Sequence, residues 1–209
     1  VELRKAKYTG MQLDIDSIIE LIDSDTQFII LANPNSPLGD LYTREQIKKL
    51  LETGVFVVID EAYLEFTGEE TSIPLIEEYK NLIVTKTFSK AYGAAGCRVG
   101  FLVSHKDNME YLSKFRSAKY TELIIDNIEY FQTYFNDMIE GKKKLITKLQ
   151  KEGYNIIDTQ GSWFYLERFT DKDNLQHFNN IGMSFRTLVL PDKKEYIKFN
   201  FDLILNEIS

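Results

Sequence analysis

The chain has 209 residues, 44% hydrophobic and 27% charged, which are globular proportions rather than those of a disordered chain. Its 32 acidic against 25 basic residues give a net charge of −7, and the short basic run Lys142-Lys143-Lys144 does not suggest nucleic acid as a partner. A single cysteine, Cys97, excludes an internal disulfide framework, and no apolar run approaches the roughly 20 residues of a membrane span, so a soluble cytoplasmic protein is expected.

In chain order, Asp16 reads as a helix N-cap, with Ile15, Ile18, Ile19 and Ile22 as the apolar stripe. Residues 26–32 form a buried strand. It is stopped by N-P-N-S-P-L-G at 33–39, where two prolines and a glycine impose a rigid turn. Thr43 and Gln46 make a capping-box pattern opening a helix through Leu51, which Gly54 closes. The apolar run 55–59 is a strand leading straight into D-E-A-Y at 60–63. A third strand, 81–85, leads into T-F-S-K-A-Y-G-A-A-G-C-R-V-G at 87–100, and a fourth spans 99–104.

Strands alternating with helices, and apolar enough to be buried on both faces, predict a mainly parallel α/β sheet. Ligands collect at the carboxyl ends of such strands, where all three unusual turns begin. Residues 106–118 read as an amphipathic helix. The helix-compatible stretch 123–152 is long enough to predict a break or an interdomain helix. Short strands at 162–167, 183–190 and 196–201 suggest a small α+β domain. The expected division is 1–122 for a large domain and 123–209 for the interdomain helix and small domain.

The chemistry of the three turns converges on one type of molecule. Asp60 ends an apolar strand, so its carboxylate is expected to be half-buried and to need a cation or donors. Tyr63 sets a phenol three residues on. Lys90 lies beyond a strand among the hydroxyls of Thr87 and Ser89, and Arg98 follows on a glycine-rich loop suited to gripping phosphate. A carboxylate for a ring nitrogen, a phenol for a ring oxygen, an amine for an aldehyde and a guanidinium with hydroxyls for a phosphate together match pyridoxal 5'-phosphate. His105 and His177 lack metal-spaced partners, so no metal is expected, and Cys97 reads as a packed thiol.

The ordered trio N-P-N-S-P-L-G, D-E-A-Y and T-F-S-K-A-Y-G-A-A-G-C-R-V-G resembles the fold-type I aminotransferases, within them the histidinol-phosphate aminotransferases. The resemblance runs from about Asp14 to Gly153 and more weakly to Phe201. It implies an aspartate aminotransferase-like fold and homodimers. It implies that Lys90 bonds the cofactor aldehyde and carries the proton, Asp60 holds the ring nitrogen, and Tyr63 bonds the ring oxygen beside Asn35 and Ser36. Thr87, Ser89 and Arg98 would hold the phosphate, and Arg186 and Lys198 would meet the substrate. The implied reaction moves an amino group between an amino acid or phosphorylated amine, as donor, and a 2-oxo acid acceptor. Decarboxylation of a phosphorylated amino acid is the alternative.

The sequence departs from the family pattern at four points. Ser36 replaces the usual asparagine, Lys198 the usual arginine, and Trp163 stands where asparagine is common. The N-terminal part of the family fold, with a glycine-rich phosphate loop and a ring-stacking aromatic, has no counterpart in the sequence. Either the sequence is part of a longer protein or the protein is a reduced homologue, so a non-catalytic reduced homologue is a second alternative.

Overall fold

The computed structural model describes residues 2–115, 125–167 and 185–200. A two-residue-stranded hairpin, β1 (Tyr8–Thr9) and β2 (Gln12–Leu13), precedes the short helix α1 (Ile15–Ile19). Asp14, not Asp16, caps α1: its carboxylate accepts from the Asp16 backbone N–H at 2.9 Å. Both aspartates suit a cap, and only the first lies outside the helix.

The central sheet runs in the order β3 (Phe28–Ala32), β4 (Phe56–Asp60), β5 (Leu82–Thr87) and β6 (Gly100–Ser104). The first three strands are parallel and β6 returns antiparallel, so the sheet is mixed. Helix α2 (Arg44–Leu51) links β3 to β4 and opens with the capping box read from the sequence. Thr43 Oγ1 accepts from Gln46 N, and the Gln46 side chain accepts from Thr43 N.

Strand residues alternate between faces. One face carries Ile29, Leu31, Val57, Ile59, Leu82 and Val84, packed against Ile15, Ile18, Ile47, Leu50, Leu51 and Leu75. Each such fully buried side chain contributes about 1.5–3 kcal/mol. The other face carries Phe28, Ile30 and Phe56, which are exposed, so burial on both faces does not hold among the described residues. An apolar run reads alike whether one or both of its faces are covered.

Helix α3 (Lys106–Leu112) is shorter than the 106–118 stretch, whose last three residues lie outside the described ones. His105 caps α3 by accepting from Asp107 N at 3.3 Å, whereas His177 lies outside the described residues. Helix α4 (Ile128–Lys151) is continuous for 24 residues, and a turn at Asn127 sets it off from helical residues 125–126.

A second, antiparallel sheet follows in the order β7 (Ile156–Asp158), β8 (Trp163–Glu167), β10 (Glu195–Asn200), β9 (Phe185–Val189). The predicted strand residues 183, 184 and 201 lie outside the described residues. Alternation explains why β8 is buried along nearly its whole length. Phe164 and Leu166 pack on Met138, Leu145, Ile146 and Leu149 of α4. Trp163 and Tyr165 face the other way, onto Leu38 of the turn at 33–39. Among the described residues no helix is long and apolar enough to cross a membrane.

Candidate functional site

The three turns gather where β3, β4 and β5 end. Asn33 N donates to Asp60 O at 2.8 Å and Glu61 N to Thr85 O at 2.9 Å, so the ladder continues into the turns. The sheet's open face brings Asp60 beside Thr85, its register partner. Asp60 Oδ1 accepts from Thr85 Oγ1 at 3.2 Å and Ala62 N at 3.1 Å. The expectation of a half-buried carboxylate does not hold: Asp60 is exposed, on the face that no described helix covers. Its two donors orient the group while leaving its charge uncompensated. Thr85 was not among the expected site residues, although a hydroxyl ending an apolar strand beside Asp60 is a legible signal.

Lys90 lies past the end of β5, and its Nζ stands 5.1 Å from the centroid of the Tyr63 ring. Among the described residues it has no ion-pair partner. Lys86, four residues earlier, is its opposite in every respect. It points to the covered face and pairs with Glu65 at 2.9 Å and Glu61 at 3.4 Å, and its side chain is only 14% exposed. Burial pulls Lys86 down, but the hydrogen bond and charge of Glu65, followed by those of Glu61, outweigh it and the net shift is upward. Glu61 is completely buried and also accepts from Thr71 Oγ1 at 2.6 Å and Ser72 N at 2.7 Å. A committed cation on the wrong face cannot serve as a nucleophilic amine, whereas Lys90 can.

This buried triad makes a stability prediction. Lys86→Met strips the counter-charge from two carboxylates and is expected to cost about 3 kcal/mol, read as a lowered urea midpoint. Because the folded lysine's pKa is raised, the wild-type contribution is complete below the unfolded pKa, near 10.4, and is lost only as pH rises through the higher folded value. The difference between the two proteins should therefore persist at neutral pH and shrink only under strongly alkaline conditions.

The loop carrying the remaining residues is folded onto itself. Thr87 Oγ1 accepts from Ser89 N at 3.1 Å and reaches Val99 O at 3.4 Å. Ala94 and Val99 pack with Phe88, Cys97 and Phe131, which gives Cys97 the packed role expected of it. Gly93 is required here: its φ is +63°, and a Cβ would meet the Tyr134 ring at 2.8 Å. Arg98 is exposed in the left-handed region (φ 53°), and among the described residues its guanidinium reaches only Ala95 O at 3.5 Å. A non-glycine residue held there is uncommon, and such strain concentrates at functional sites.

Other expected residues are placed less simply. Asn35 Nδ2 donates to the Tyr8 hydroxyl at 2.8 Å, which ties it to the hairpin, while Ser36 is exposed on the same turn. Lys198 and Arg186 are register partners on β10 and β9, and Arg186 is exposed. Lys198 Nζ lies 4.1 Å from the centre of the Trp163 ring. Trp163 itself is fully buried and packs edge-to-face on Tyr63, with ring centres 4.7 Å apart, so it fills the contact between the sheets rather than lining an open pocket.

Two further residues make buried polar contacts beside it. Lys142 of α4 is buried and donates to Thr159 O at 2.8 Å and Gly161 O at 2.9 Å while pairing with Asp158 at 2.6 Å. Burial lowers its pKa, and Asp158 offsets part of that. Tyr165 hydrogen-bonds Pro37 O, and burial pushes its phenol up to about 12, so it remains a donor at neutral pH. Nothing in the local sequence distinguishes Lys142 from its solvated neighbours Lys143 and Lys144.

The described residues contain no cluster of three metal-ligating side chains. What they do contain is an unpaired amine, an unpaired carboxylate, an exposed guanidinium and several hydroxyls at one end of a sheet.

Known proteins are similar to this chain in sequence and in fold. The chain is 30% identical over 195 residues to a histidinol-phosphate aminotransferase of Thermotoga sp. (strain RQ2), covering 87% of this chain and 57% of that protein. It therefore spans little more than half the length of that relative. Its structure is similar to that of Sinorhizobium meliloti histidinol-phosphate aminotransferase in complex with pyridoxal-5'-phosphate, with a TM-score of 0.76 and 18% identity over 98% of this chain and 62% of the other. L-threonine-O-3-phosphate decarboxylase from Porphyromonas gingivalis gives a TM-score of 0.66 and 25% identity over 87% and 62%. The family described as aminotransferase class I and II matches residues 1–191, and the chain belongs to that family.

Proposed function

We propose that the protein holds pyridoxal 5'-phosphate on Lys90 and transfers an amino group between an amino acid or phosphorylated amine and a 2-oxo acid. The observation that carries this reading is the contrast between the two neighbouring lysines: Lys86 is consumed by Glu61 and Glu65, while Lys90 has no ion-pair partner and lies at the ligand end of the sheet. The residue types gathered there match the cofactor group by group. Asp60 would sit at the ring nitrogen, Tyr63 with Ser36 and Asn35 at the ring oxygen, and Arg98, Thr87 and Ser89 at the phosphate. The division into a large domain, 1–122, and a small one, 123–209, belongs to the same reading, as does a homodimer, which sedimentation would test.

When bound, the cofactor supplies a ring that withdraws electrons from the substrate's α-carbon. The chain's residues then do two things. Asp60 keeps a negative charge beside the ring nitrogen and so favours its protonated form. Lys90, once its amine is released, takes a proton from one carbon and returns it to another, which requires an amine not locked in a salt bridge.

Arg186 and Lys198 are proposed to meet the anionic end of the substrate. Arginine grips carboxylate or phosphate with two prongs, whereas lysine offers one point charge. Arg186→Ala should raise KM for an anionic substrate about tenfold, the low end for a lost charged hydrogen bond because the side chain is exposed. Lys198→Arg should preserve or improve binding. Unchanged kinetics in Arg186→Ala would remove it from the substrate site.

Decarboxylation of a phosphorylated amino acid is the second reading, favoured by the likeness to the P. gingivalis enzyme. The deciding assay offers phosphorylated amines and amino acids with a 2-oxo acid. A keto product formed without carbon dioxide supports transamination, and stoichiometric carbon dioxide without keto product supports the decarboxylase.

A further inference from the structure

Lys90, Tyr63, Trp163 and Lys198 form a column that crosses from one sheet to the other, and the chemistry proposed above leaves Trp163 without a role. Yet Trp163 is among the largest fully buried side chains of the described residues. It is completely buried, and its Nε1 donates to Pro37 O at 2.8 Å. Its carbonyl oxygen accepts from Thr159 Oγ1. On the side of Gly161 there is no room at all: a Cβ there would come within 2.1 Å of the indole ring.

Tyr63 is held differently. Its hydroxyl has no hydrogen-bond partner among the described residues, so the ring is oriented by what it packs against, the cluster of Leu38, Trp163, Tyr165, Leu190 and Tyr196. Two aromatic neighbours make ring contacts with it, Phe66 at 6.1 Å and Trp163 at 4.7 Å. The Trp163 contact is the closer, and its interplanar angle of 82° is the edge-to-face geometry that aromatic quadrupoles favour. The direction of the Tyr63 phenol therefore depends on the position of the indole. The same indole attracts the Lys198 ammonium, whose charge a ring face favours.

We infer that Trp163 is a positioning residue, which aims the Tyr63 phenol at the site of Lys90 and holds Lys198 in place. The inference rests on the reading that Lys90 carries the cofactor. With the cofactor bound, a correctly aimed phenol would donate to the ring oxygen and disperse its negative charge. That would weaken the oxygen's hold on a proton at the nitrogen of Lys90. If the indole moved, the phenol would be misdirected and the proton would be held to higher pH.

The test is a pH titration of the visible absorbance of the whole protein loaded with pyridoxal phosphate. It compares wild type with Trp163→Phe, Gly161→Ala, Tyr63→Phe and the double variant Tyr63→Phe/Trp163→Phe. Trp163→Phe removes the indole N–H donor, whereas Gly161→Ala keeps the indole and displaces it. Both should raise the midpoint by about one pH unit, a tenfold change in proton affinity, in the direction of Tyr63→Phe. The double variant should titrate like Tyr63→Phe alone, because Trp163 acts through Tyr63. A purely structural tryptophan would change how much protein folds and loads but not the midpoint of the loaded fraction.

Midpoints of Trp163→Phe and Gly161→Ala that coincide with wild type would overturn the inference and leave the function standing. Fully additive shifts in the double variant would overturn it too. If Trp163→Phe does not fold, Gly161→Ala decides alone. A wild-type protein that takes up no pyridoxal phosphate would overturn the functional reading, and this inference with it.

Discussion

Lys90→Ala is expected to abolish turnover, by on the order of 10⁴-fold, while the protein still retains pyridoxal phosphate without a covalent bond. The loss follows from geometry as much as from chemistry. Lys90 is the amine at the ligand end of the sheet that no described carboxylate engages, and the next lysine, Lys86, is on the other face and tied to Glu61 and Glu65. No described neighbour can substitute for it by a change of side-chain conformation alone. Retention of the cofactor is expected because, in the proposed reading, Asp60 and Arg98 would hold it with charges that the substitution leaves in place. Single-turnover kinetics together with cofactor content would separate the two effects. A variant that turned over normally would move the chemistry elsewhere.

Asp60→Asn is expected to give the second large effect, a loss of about 10²–10³ in kcat, comparable to removing one preorganised electrostatic contact. The substitution is nearly isosteric, and the amide oxygen can still accept from Thr85 Oγ1 and Ala62 N. Position is thus preserved and charge is lost. Because no cation pairs with Asp60 among the described residues, the fold does not depend on that charge, and stability should change little. A variant that lost stability and activity together would instead make Asp60 a structural carboxylate.

Much of the fold and the place of the three turns were legible in the sequence, for reasons that differ from residue to residue. The Thr43–Gln46 capping box could be read directly, because both reciprocal hydrogen bonds are local. The three site turns could be read because proline, glycine and charged residues interrupt apolar strands at their carboxyl ends. The exposure of Asp60 could not, since an apolar strand does not reveal whether one of its faces is open. The cap of α1 was misplaced by two residues because Asp14 and Asp16 are chemically equivalent candidates.

The roles of Lys86, Lys142 and Trp163 were hidden for a deeper reason. Each depends on partners distant in sequence: Glu61 and Glu65 for Lys86, the 158–161 turn for Lys142, and Pro37 for Trp163. Such partners are fixed by strand register and by the docking of one sheet's turn on the other sheet. Local patterning carries neither.

The most direct test of the central claim is borohydride reduction of the protein loaded with pyridoxal phosphate, followed by peptide mapping. The account predicts that the visible absorbance is bleached and that one cofactor-modified peptide appears, with the modification on Lys90. Modification on Lys86, or loading that borohydride does not fix to any lysine, would contradict it.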